Sequence, residues 1–289
     1  MASLKEIKGR IASVNSTLKI TSAMKMVASA KLHRAQAAIE SMLPYERRLD
    51  AMLSGFLSAE GASESPYAES REVRRVAVVA VSSNSSLCGA FNANAAKMFR
   101  ATVAEYEGLG RDNILVFPVG RKIADAVRKE GFVPQGDFQQ MIDRPDYKAA
   151  AELAARLMKM FADGEVDRIE LVYNHFKSSA SQIVVRERYL PVDTEPEGGR
   201  KAFATDYIVE PGRDEVMRTL IPQVLSLKIY TMLLDSNAAE HAARTVAMQM
   251  ASDNATELLQ DLTVQYNKSR QQAITNELLD MMGAEIANG

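Results

Sequence analysis

The chain has 289 residues, room for roughly two domains, and its 47% apolar and 25% charged content excludes global disorder. Lys and Arg number 35 against 37 Asp and Glu, so the whole chain is not a polycation of the nucleic-acid-binding kind. Cys88 is the single cysteine, which excludes an internal disulfide framework and a cysteine-rich zinc site.

No run of about 18 apolar residues occurs, so no bilayer-spanning helix is expected. The opening Met1–Arg10 lacks the continuous apolar stretch of a signal peptide, which leaves a bacterial-type cytoplasmic compartment as the expectation. Glycine and proline are the strongest local breakers, and they crowd the middle of the chain. Neither lies between Gly9 and Pro44, and no glycine lies between Gly212 and Gly283. The expected division is therefore a helix over 1–60, a punctuated centre over 61–211 and a second long helix over 212–289.

The first segment carries Leu4, Ile7, Ile11, Val14 and Leu18 at spacings of three and four, one apolar helical stripe. Ile20, Met24 and Val27 continue a stripe after a small drift, and Pro44 is expected to kink or end the helix. Seven cations in this stretch (Lys5, Lys8, Arg10, Lys19, Lys25, Lys31 and Arg34) face only Glu6. Such a face is ordinarily just solvated. It would also attract an acidic partner or anionic surface, chiefly by steering, because each exposed pair contributes only about 0–1 kcal/mol.

The centre alternates strands and helices. Val73–Ser82 and Asn113–Val119 read as buried strands, followed by Ile169–Asn174 and Ile183–Tyr189. Helical stretches lie between them at Ala90–Glu107, Arg121–Lys129 and Lys148–Ala162. That order predicts a small, mainly parallel α/β sheet with one hairpin-like pair near its end.

The tail reads as one helix from about 212 to about 286, a length of ~110 Å at 1.5 Å per residue. Val246, Met250, Leu258, Leu262, Ile274, Leu278 and Met281 fall on or near one face. Ala238, Ala239, Ala242, Ala243 and Ala247 would let a partner helix approach closely. One small domain cannot bury such a helix, so another helix or a surrounding protein has to cover it.

Chemistry is sparse. No phosphate loop, dinucleotide fingerprint or nucleophile elbow occurs, and His33, His175 and His241 show no metal-ligand spacing. These three read as structural or surface residues; no catalytic residue, metal ligand or cofactor site is expected. The loop Ser82–Asn92 follows the first strand and opens a helix, where α/β sheets often bind ligands. It could hold an anion or present Cys88 as a nucleophile. With no paired base or basic side chain nearby in sequence, a serine-capped turn around a small buried cysteine is the expected reading.

Four segments together resemble the gamma subunit of the F-type ATP synthase: Ile11–Lys31, Leu87–Asn92, Glu240–Met250 and Tyr266–Leu278. The resemblance covers nearly the whole chain. It implies an α/β protein in which the two end helices wind into a long antiparallel coiled coil beside a central Rossmann-like domain with a mainly parallel sheet. It implies a rotor shaft inside a hexamer of alpha and beta subunits, with the epsilon subunit and the membrane c-ring at its foot. It implies no cofactor, no nucleic acid, no membrane insertion and a peripheral place on the cytoplasmic face of the bacterial membrane.

By the same resemblance Arg270, Gln271 and Thr275 match the tail segment that hydrogen-bonds a beta-subunit loop. Met24 and Lys25 match the neck beside an acidic beta loop. Tyr207 and Glu210 match the part of the foot that approaches the polar loops of the ring. Leu279, Met281, Met282 and Ile286 suit an apolar sleeve around the tip. Asn84, Ser85 and Ser86 stand where the family usually carries an acidic residue, a basic residue and a glycine, so no role of those groups carries over. With Cys88 alone, the plastid type of thiol control is not expected. The alternative is a small α/β nucleotide-binding module with helical oligomerisation arms; a coiled-coil tether or chaperone is the third.

Overall fold

The computed structural model describes residues 3–58, 66–192 and 212–288. It divides into two compact units: Met1–Ala28 with Thr245–Gly289, and Ser29–Arg244. Two helices, α1 (Leu4–Ser58) and α6 (Arg213–Asn288), have segments in both.

In the sheet-bearing unit β1 (Val76–Val81) is central and wholly buried, as its unbroken apolar run requires. It pairs in parallel with β2 (Ile114–Val119) and β3 (Arg168–Ser178), and β3 pairs antiparallel with β4 (Ser181–Leu190). The order β2-β1-β3-β4 is the expected mainly parallel sheet with one terminal hairpin. Between the strands lie α2 (Phe91–Glu105), α3 (Arg121–Lys129), α4 (Gln139–Asp143) and α5 (Tyr147–Ala162). The short α4 was not foreseen, because five residues give no helical period to read.

Alternation along β1 sorts the core into two layers. Val76, Val78 and Ala80 pack with Phe99 and Val103 of α2 and Ile123 and Val127 of α3. Ala77, Val79 and Val81 pack with Leu153, Leu157 and Phe161 of α5 and Ile221, Leu225, Ile229 and Leu233 of α6. Tyr189 Oη, buried on β4, donates to the Leu225 carbonyl at 3.0 Å and ties the hairpin to α6.

Helix α1 runs through Pro44, so the proline does not end it. Leu49, Met52 and Leu53 pack on the sheet core beyond the proline, and the Thr231 hydroxyl donates to Glu46 at 3.0 Å. Tertiary contacts just after the break thus offset the missing backbone hydrogen bond. Further back, Leu32 and Ala35 of α1 lie against Ala238 and Ala242 of α6, the close approach that the small residues foretold. Residue numbers rise along one helix as they fall along the other, so the pairing is antiparallel.

In the all-helical unit a regularly spaced set of covered positions on α1 runs through Leu4, Ile7, Ile11, Val14, Leu18, Thr21, Lys25 and Ala28, with Ser22 and Met24 half-buried beside it. The matching set on α6 is Met248, Ser252, Ala255, Leu259, Leu262, Tyr266, Ser269 and Ala273, with Thr245, Ala247, Gln249 and Ala251 half-buried at its near end. Both sets alternate spacings of three and four, the heptad seam of a coiled coil. The first five residues of the α1 set are the stripe read from sequence. The continuation through Ile20 and Val27 is overturned, since both are exposed and the seam passes through Thr21 and Ala28. The expected α6 stripe is displaced too: Leu262 is 1% exposed but Met250 is 61%. A strict 3.5-residue repeat carries the seam onto small and polar residues that an apolar search passes over.

Candidate functional site

Met24, Lys25, Arg270, Gln271 and Thr275 all belong to the all-helical unit. Met24 and Lys25 are half-buried on α1, with Lys25 at a seam position. Its aliphatic stem can lie along the seam while its ammonium reaches water. Arg270, Gln271 and Thr275 are exposed on α6. Gln271 and Thr275 are one turn apart on one face, and the Thr275 hydroxyl donates to the Gln271 carbonyl at 2.9 Å. That hydroxyl keeps its lone pairs for an outside donor. Arg270 projects about 100° round the helix.

The neck pair and the tail trio are separate groups. Ser252 faces Thr21 across the seam, and Arg270 lies 18 positions further along α6, or about 27 Å. Leu278, Leu279, Met281 and Met282 near the tip are exposed apolar side chains. The side chain of Ile286 and the whole of Tyr207 and Glu210 lie outside the described residues.

The Ser82–Asn92 loop is a hub of internal hydrogen bonds. Arg121 N–H donates to Asn84 Oδ1, Lys122 N–H to the Ser83 carbonyl and Ile123 N–H to Ser82 Oγ. The first backbone donors of α3 are thus engaged by the loop itself. Asn84 Nδ2 donates to the Gln139 carbonyl and to Asp143, fastening the loop to α4. Cys88 is 1% exposed with the Asn92 amide 3.1 Å from its sulfur, an enclosed position rather than that of an open nucleophile.

Gly120 makes this arrangement possible. Its φ of +105° suits glycine, and a Cβ there would come 2.1 Å from the Ser82 carbonyl oxygen. Leu87 is a different case: a leucine at φ 66°, with its side chain 60% exposed at the loop tip. A left-handed leucine costs about 1–3 kcal/mol and persists only where its surroundings over-determine it.

Arg244 is the residue that sequence reading missed. From α6 its guanidinium donates to Ser85 Oγ at 2.8 Å, to the Ser86 carbonyl and to Glu240 at 2.6 Å. The Arg244 and Glu240 side chains are 10% and 6% exposed. Burial pushes the Glu240 carboxyl above its ordinary value, and Arg244 opposes that shift. The legible signal was a Glu and an Arg four apart in an alanine-rich helix. The target loop, more than 150 residues earlier, gave none.

The three histidines differ. His33 is exposed. His175 Nδ1 lies 2.6 Å from Asp235, whose other oxygen accepts the Phe176 N–H, so β3 is pinned to α6. His241 is buried, and burial with the nearby charges of Lys31 and Arg244 lowers its pKa to about 4. No group of metal-ligating side chains assembles among the described residues.

The chain is similar over its full length to known proteins. A family model described as ATP synthase matches residues 3–287. The ATP synthase gamma chain of Phocaeicola vulgatus is 61% identical over 289 residues, covering 99% of this chain and 100% of that one. That of Parabacteroides distasonis is 51% identical, covering 98% of each. Among solved structures, one chain of the Euglena gracilis mitochondrial ATP synthase (an OSCP/F1/c-ring assembly) matches with a TM-score of 0.67 at 19% identity. It covers 98% of this chain and 94% of that chain. One from the Tetrahymena thermophila central stalk and c-ring matches with a TM-score of 0.62 at 21% identity, covering 81% and 99%. At those identities the two structures speak for the fold alone. Matched end to end by the family model and by close relatives, the chain belongs to the ATP synthase gamma-chain family.

Proposed function

We propose that this chain, the central rotor shaft of an F-type proton-translocating ATP synthase, does its work without catalytic residues of its own. It transmits torque between the membrane rotor ring and the catalytic subunits, coupling proton flow to ATP synthesis or hydrolysis. The observation that carries this reading is the heptad seam of α1 and α6. Two helices with no glycine from 10 to 54 or from 213 to 282, sealed along one seam, resist bending and twisting, while basic and apolar side chains on their outer faces remain open to a partner. An asymmetric shaft within a ring of identical sites makes those sites unequal, a coupling free energy carried by rigid elements.

The division of labour follows the sequence: 1–60 and 212–289 form the shaft, and 61–211 form the foot. Arg270, Gln271 and Thr275 contact a beta subunit, supported by their exposure and by the free lone pairs of Thr275. Met24 and Lys25 sit at an acidic beta loop, supported by the basic character of α1. Tyr207 and Glu210 meet the c-ring, and the foot binds epsilon. The chain is peripheral, on the cytoplasmic face of the membrane; no helix among the described residues is long and apolar enough to cross it. It binds no cofactor and no nucleic acid.

Co-purification tests this. One copy should come down with three copies each of two larger subunits, and the isolated chain should not hydrolyse ATP. ATP turnover at an enzyme-like rate by the chain alone would overturn the reading.

A further inference from the structure

The contacts of Arg244 have a mechanical consequence. Its Nη1 and Nη2 grip the Ser85–Ser86 turn from α6, and Glu240, one helical turn before it, holds the guanidinium from behind. On the opposite side, Asn92 Nδ2 of α2 donates to the Ser85 carbonyl at 3.1 Å. Asn84 fastens the neighbouring residue to α3 and α4. The turn is therefore braced on three sides, and Leu87, directly after it, is held left-handed at the exposed tip. Among these hydrogen bonds only those of Arg244 come from α6, which also packs Ala239 and Ala243 against Cys88 and Phe91 just beyond the turn.

We propose that Arg244 is a positioning residue that locks the Ser85–Leu87 turn to α6, so that the first loop of the sheet-bearing unit moves with the helix instead of slipping against it. The inference rests on the rotor reading for its consequence, but not for its geometry. A guanidinium fits the task because its planar fork makes several directed hydrogen bonds at once, whereas an ammonium is a point charge. Release of the turn lets Leu87 leave its left-handed conformation, so freedom should appear at the tip and not in the sheet. The lock is internal to one unit and needs no partner to form.

The test uses the whole purified ATP synthase carrying this chain, with amide hydrogen exchange and the ratio of protons pumped to ATP hydrolysed. Arg244→Lys keeps the charge opposite Glu240 but loses the fork. Arg244→Met paired with Glu240→Gln removes both charges and strands neither. Ser85→Ala removes one acceptor and leaves α6 untouched. In each variant, amides 84–88 should exchange at least tenfold faster (less so for Ser85→Ala) while those of β1 keep their protection, and the pumping ratio should fall in the order of loop release. Unchanged exchange at 84–88 in Arg244→Lys and in the double variant overturns the lock. Faster exchange with an unchanged pumping ratio overturns its mechanical role. Failure of the wild-type chain to assemble with larger subunits would instead overturn the rotor reading and leave the exchange result standing.

Discussion

The hydroxyls of Thr21 and Ser252 meet 2.8 Å apart inside the helical seam, joining residues 231 positions apart in the chain. Both side chains are buried, and Thr21 Oγ1 also lies 3.1 Å from the Leu18 carbonyl. A polar pair in an apolar seam fixes register more than it adds stability. Thr21→Val alone should destabilise the coiled coil by about 1 kcal/mol, because Ser252 is left without its partner. Thr21→Val with Ser252→Ala should recover most of that loss. Thermal unfolding followed by helical circular dichroism, read as a double-mutant cycle, checks this; strictly additive effects would refute the pairing.

The course of the seam makes a sharper prediction. Leu262→Ala should cost about 2–3 kcal/mol, because it opens a cavity in a covered position. Met250→Ala, also an apolar truncation on α6, should stay within about 0.5 kcal/mol in the isolated chain, since Met250 is exposed. Urea unfolding distinguishes the two. Comparable losses would mean that the apolar stripe, and not the heptad set, carries the contact.

Gly120→Ala should be among the most damaging single changes in the sheet-bearing unit. The added Cβ meets the backbone of Ser82 at a φ that alanine rarely adopts, and the loss should be about 3 kcal/mol or more. Reduced soluble yield and a lowered unfolding midpoint are the expected results. Near-wild-type stability would show that the β1 loop can withdraw from α3.

Stability should rise with pH where His241 titrates. Its folded pKa of about 4 lies below the ordinary histidine value of 6.5, so the unfolded chain binds more protons between those values. The contribution of neutral His241 is fully present above about pH 6.5 and is lost as pH falls toward 4, up to about 3 kcal/mol. Glu240, pushed up by burial, works in the opposite direction over part of that range. His241→Gln should therefore flatten the rise between pH 4 and 6.5. An unaltered slope would place the titration elsewhere.

The tail trio predicts a change in coupling without a change in fold. Arg270→Ala with Gln271→Ala alters two exposed positions of α6 and should leave helical content and thermal stability within about 0.5 kcal/mol. ATP synthesis per proton should fall in membranes carrying the variant. Full coupling would remove these residues from the contact with the beta subunit.

Much of this molecule was legible in its residues. The unbroken apolar run of β1 announced a strand buried on both faces, and Arg121–Lys129 announced its helix to the residue, because local periodicity and breakers decide such elements. The absence of glycine between Gly212 and Gly283 announced α6, and the spacing from Leu4 to Leu18 announced the start of its seam with α1. What the sequence left undetermined had a common cause. Thr21, Ala28, Ser252 and Ala255 are small or polar, so a search for apolar periodicity drifted to Ile20, Val27 and Met250, which face outward. Pro44 stays within a helix because burial at Leu53 outweighs one missing hydrogen bond, and Arg244 reaches the Ser85–Ser86 turn from far along the chain. Hydrophobic spacing records what each segment prefers on its own. Which faces are covered, and which charges meet, depends on the neighbours that the folded chain brings to them.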